Sequence, residues 1–67
     1  MRYEHGGRTI MVFGDDIAVR IYEDTHYKSL RWLAVAQVEG NTVEARGRTQ
    51  SEALSRLTHR LEVRLDY

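Results

Sequence analysis

The sequence predicts an α+β fold: a four-stranded antiparallel meander with one helix packed on one face (β-β-β-β-α). Three observations carry this reading. A run rich in Trp, Leu, Val and Ala, Leu30 to Glu39, leads through Gly40-Asn41 into an alternating run, Thr42 to Arg48. A similar apolar pair of runs, broken at Gly14-Asp15, precedes it. A Thr-x-x-Glu spacing at Thr49 and Glu52 then opens a stripe of leucines at helical period.

Met1 to Gly7 has few apolar residues and a Gly6-Gly7 pair, so it reads as a frayed start. Arg8 to Phe13 forms the first strand, Gly14-Asp15 the turn, and Asp16 or Ile17 to Tyr22 the second strand. This loop pairs Val12 with Ile17 and Ile10 with Val19 on the inner face. It leaves Thr9, Met11, Phe13, Ala18, Arg20 and Tyr22 on the outer one. Glu23 to Ser29 is a polar connection.

In the second hairpin a Gly40-Asn41 loop sets Val38 opposite Val43, Ala36 opposite Ala45 and Ala34 opposite Gly47. That face is apolar and small, so a helix can approach it closely. Leu33, Val35 and Gln37 face Arg48, Arg46 and Glu44 on the wetted side. Thr49 caps a helix running to Glu62, with Leu54, Leu57, Leu61 and Leu65 on one stripe. Leu61 to Tyr67 also alternates strictly, which leaves a short C-terminal strand as the alternative.

Sixty-seven residues are enough for one small domain with a marginal core. With no Cys, neither disulfides nor thiolate metal sites hold it. Ten basic and ten acidic residues cancel, which argues against a nucleic-acid binder relying on bulk charge. No run approaches the length of a bilayer span, and Met1 to Arg8 lacks the apolar core of a signal peptide. The expectation is a cytoplasmic protein with no membrane association.

His5, His26 and His59 match no metal spacing, no glycine loop cradles phosphate, and no serine has a nucleophile context. The reading is a non-enzyme without cofactor or metal. Arg56, Arg60 and Arg64 recur every four residues on the helix; a solvated face, partly balanced by Glu52, is the plain explanation. A ridge for nucleic acid or an acidic partner is the other. One helix covers one side of a sheet, so Met11, Phe13, Tyr22, Leu33 and Val35 are expected to stay exposed. They are edged by Arg20, Arg31, Arg46 and Arg48, the pattern of a protein interface.

The stretch Trp32-Leu-Ala-Val-Ala-Gln-Val-Glu-Gly40, followed by Ala45-Arg-Gly-Arg-Thr-Gln-Ser-Glu-Ala-Leu-Ser-Arg-Leu57, resembles the HicB-like antitoxin family. The second run is similar to that family's Gly-x-Thr-x-x-Glu-Ala-x-x-x-Leu segment, and the likeness spans Asp16 to Leu65. It implies a sheet with one helix on a face, akin to double-stranded-RNA-binding domains. It also implies neutralisation of an RNA-cleaving toxin by direct binding. Many such proteins carry a further DNA-binding domain, for which 67 residues leave no room. The expected partner is therefore a protein, a nuclease, toxin or defence complex, alongside self-association as a homodimer. Two other readings stand beside it: a phage-encoded, anti-CRISPR-like inhibitor, and a nucleic-acid binder using the basic helix with Arg46 and Arg48.

Overall fold

The computed structural model describes residues 1–65. Its order is β1 (Arg2–Val12), β2 (Asp15–Asp24), β3 (Trp32–Val38), β4 (Asn41–Gly47) and α1 (Gln50–Leu65). The four strands form one antiparallel sheet in chain order. The helix lies on one face, chiefly over β4 and β3, which is the predicted α+β architecture.

Both hairpins turn one residue earlier than the glycine signals suggest, which shifts each pairing register by two. The loops are Phe13-Gly14 and Glu39-Gly40, closed by Val12 opposite Asp15 and Val38 opposite Asn41. Each loop needs two successive left-handed residues, and φ is 50° at Phe13, 83° at Gly14, 53° at Glu39 and 79° at Gly40. The expected loops put glycine first; the chain puts it second, behind a residue that propensity disfavours there. Ile10 therefore meets Ile17, Ala36 meets Val43, and Ala34 meets Ala45. Because the slip is an even number, every side chain keeps its face.

The first strand is also longer than expected. Arg2 to Gly7, read as a frayed start, pairs with β2 as far as Arg2 opposite Asp24. A bulge between Glu4 and Gly7 absorbs the extra residue, with Gly6 at φ 94°. The glycine pair that looked like disorder is the device that lets the strand continue.

The inner face collects Val12, Ile17, Val19, Ile21, Ala34, Ala36 and Ala45 against Ala53, Leu57 and Leu61 of α1. Burying each leucine stabilises the fold by roughly 1.5–3 kcal/mol. Ala45 and Gly47 form the floor under the helix start. A Cβ on Gly47 would lie 2.4 Å from the Ala53 backbone nitrogen, so only glycine permits this approach. Thr49 Oγ1 accepts from the Glu52 amide at 3.0 Å, and Glu52 Oε1 accepts from the Arg48 amide at 3.2 Å. This is the predicted capping box, its return bond reaching one residue further back than the cap. The helix continues through Leu65, which excludes a strand over Leu61–Leu65; Asp66 and Tyr67 lie outside the described residues.

Candidate partner-binding surface

The outer face of the sheet is built by strand alternation alone. The registers align Gly7, Arg20, Val35 and Glu44 in one row, and Glu4, Tyr22, Leu33 and Arg46 in the next. These rows are not uniformly exposed. Met11 and Phe13 are 68% and 60% accessible, Tyr22 and Val35 are half-buried, and Leu33 is only 1% accessible. The expectation of a continuous exposed apolar face is thus corrected at Leu33.

Leu33 shares a recess with Leu30 and Arg46, and Arg46 in turn meets the connection that follows β2. Its Tyr27 ring lies 4.0 Å from the Arg46 guanidinium carbon, and the Leu30 carbonyl accepts from Arg46 Nη1 at 3.5 Å. Asp24 ties this corner together: its Oδ1 accepts from the His26 amide at 3.1 Å, and its Oδ2 from Arg46 Nη2 at 3.4 Å. Arg2 adds an ion pair at 3.7 Å and sits 5.7 Å from the Tyr22 ring centre. The backbone hydrogen bond from His26 is the largest influence holding the Asp24 carboxyl below its ordinary value, with Arg46 and Arg2 adding to it. Sequence reasoning missed Asp24 and Tyr27, because nothing in their spacing marks an acid at a strand end as the centre of a cluster.

The remaining predicted residues separate. Arg20 pairs with Glu4 on the outer face. Arg31 turns away to Glu23 at 3.4 Å, in the corner where His5 meets Trp32 edge-on at 4.8 Å. Arg48 lies beyond the end of β4 and is exposed. The helix arginines do not form an even ridge. Arg56 Nη1 donates to the Arg46 carbonyl, and Arg60 Nη1 to the Glu44 carbonyl, each at 3.1 Å. They cover the backbone edge of β4, the last strand of the sheet. Arg64 is exposed in the last helical turn.

At the opposite end from the Asp24 corner the two hairpin tips stand side by side. Pairing between β2 and β3 stops at Val19 opposite Ala36, so the tips part beyond it. A shallow depression opens there, lined by Ala18, Arg20, Tyr22, Val35, Gln37 and Glu39. Met11 pairs with Asp16, one of its lining residues, and exposed Phe13 lies in the loop at the end of the same hairpin. Asp16 and Glu39 line the depression, with no cation at ion-pair distance among the described residues. The geometry suits surface recognition: two exposed apolar side chains, a shallow recess and an acidic rim. Among the described residues no helix is long and apolar enough to cross a membrane. No family model, no curated protein and no solved structure matches the chain.

Proposed function

We propose that the chain is a non-catalytic inhibitor of HicB-like form, which neutralises a nuclease or toxin by seating its hairpin-tip surface on that protein. The observation that carries this is Phe13. It combines φ 50° with 60% accessibility, so a bulky aromatic occupies a strained backbone position and buries little in return. Asn or Gly would suit that turn better, and strain retained at an exposed side chain points to a use outside the fold. Exposed aromatic residues are frequent anchors of protein interfaces. The acidic rim of Asp16 and Glu39 complements the basic surface with which a nuclease holds nucleic acid. Occupation of Arg56 and Arg60 at the β4 edge weighs against nucleic-acid binding by the helix.

The test compares the wild-type chain with Phe13→Asn and with Met11→Thr/Phe13→Asn in a capture from the native host, read by mass spectrometry. The reading requires a basic nuclease or toxin held by the wild type and lost at least tenfold by folded variants. Equal capture by all three chains would overturn it. So would a salt-sensitive complex of the free chain with RNA or DNA and no protein partner.

A further inference from the structure

The two edges of the sheet are treated in opposite ways. Along β4, arginines from the helix occupy the outward carbonyls of Glu44 and Arg46. Along β1, no strand, loop or side chain among the described residues meets the outward backbone of Arg2–Val12. An unprotected edge of this length is a template for another strand. Its first half is spoiled for pairing by the bulge between Glu4 and Gly7. Its second half, Arg8-Thr9-Ile10-Met11-Val12, is regular, rich in β-formers and carries a single charge.

From this asymmetry we infer that the occupant of the β1 edge is a second copy of this chain, joined antiparallel over Arg8–Val12 with the two-fold axis at Ile10. The inference does not need the function proposed above, although Met11 belongs both to the joint and to the surface proposed there. An axis normal to the sheet keeps inner face with inner face, so half-buried Ile10 meets its own counterpart beside the core. Thr9 then meets the second copy's Met11 on the outer side, and Arg8 meets its Val12 on the inner side.

Charge supports this register. Val12 pairs with Asp15, so Arg8 of one copy shares an inner-face row with Asp15 of the other, two strands across. Two strand spacings, about 10 Å between Cα atoms, lie within reach of an arginine meeting an aspartate. Symmetry makes two such pairs. Asp15 has no cation at ion-pair distance within its own chain among the described residues. Arg8 uses one nitrogen on Gln50 Oε1 at 2.8 Å and keeps further donors free. Because β4 is capped, strands cannot add head to tail, and the assembly closes as a dimer instead of growing into a fibre. The helix α1 lies chiefly over β4 and β3, with lesser contact to β1.

A five-residue joint falls toward the low end of stable interfaces, about 1,200 Å², so dimer and monomer should exchange with concentration. Sedimentation of the purified chain should show its mass rise from one copy to two with concentration. Arg8→Asp should weaken association at least tenfold, Asp15→Arg likewise, and the double exchange should restore it. The chain has no cysteine of its own. An Ile10→Cys variant places both thiols on the axis with Cα atoms about 4.5–5.5 Å apart, within disulfide range. It should cross-link under mild oxidation far faster than Val63→Cys on the exposed helix face. A chain that stays monomeric at millimolar concentration overturns the inference. So does a dimer indifferent to the Arg8 and Asp15 exchanges, with no preferential cross-link at Ile10.

Discussion

Gly47 and Ala53 are in closer contact than any side chain at position 47 would allow: a methyl group there would lie 2.4 Å from the Ala53 nitrogen and 2.8 Å from the Glu52 carbonyl carbon. Both of those atoms belong to the helix backbone, so no rotamer change relieves the clash. Gly47→Ala should therefore lift the helix start and cost roughly 1–3 kcal/mol by overpacking. Ala45→Leu, on the same floor, should behave alike. Chemical denaturation of both variants checks this, and a wild-type midpoint for Gly47→Ala would disprove the close approach.

Removing the cap should act at the same place without touching the packing. Thr49→Ala deprives the Glu52 amide of its acceptor and should lower stability by about 0.5–2 kcal/mol. Amide exchange would show the loss as fraying confined to the first helical turn.

Leu33 faces away from the helix, yet its own chain buries it. Leu33→Ala should cost roughly 2–5 kcal/mol, in the range of a core leucine such as Leu57. A surface leucine would cost far less, so a melting temperature within a degree or two of wild type would show that Leu33 is not part of the packed interior.

At the tip, stability and binding should move in opposite directions. Phe13→Asn relieves a left-handed backbone cost of about 1–2 kcal/mol and should raise the melting temperature even as it abolishes partner capture. Glu39→Asn, at the equivalent loop position with φ 53°, should stabilise similarly.

The acid limb of the stability curve should report Asp24. Its carboxyl is held below the ordinary value of 3.8 in the folded state, chiefly by the His26 amide. The stability it contributes is fully present above that value and is lost as pH falls through the lower folded one. Asp24→Asn should flatten the loss of melting temperature on going from about pH 6 to about pH 2. Arg46→Leu should both lower stability at neutral pH and blunt the same limb, because Asp24 then loses a charged partner.

Much of the fold was legible because the sheet and the helix speak in different periods. Val43, Ala45 and Gly47 fall on the helix side whichever loop is chosen, since moving the turn shifts the register by an even number. Thr49 and Glu52 mark the helix start through local bonds that spacing alone predicts. The loops themselves were misplaced, because Phe13 and Glu39 occupy positions where propensity favours Asn, Asp or Gly. The Asp24, Tyr27 and Arg46 cluster was illegible for another reason: it joins a strand end, a connection and a distant strand, and only the folded chain brings them together. Likewise the spacing of the helix arginines suited a solvated face or, as the alternative, a ridge, and only the fold shows the β4 carbonyls as partners for Arg56 and Arg60.

The serial strand order has a kinetic consequence. Every strand pairs with its immediate neighbour in the chain, and α1 folds back mainly on the strand just before it. The loops to be closed are short, so little chain entropy is spent before contacts form. Such local topologies fold fast for their size. With no proline in the sequence, no slow isomerisation step interrupts the process. A nascent or stress-unfolded chain should regain its shape in a single rapid phase, well before a protease or an aggregating neighbour can intercept it.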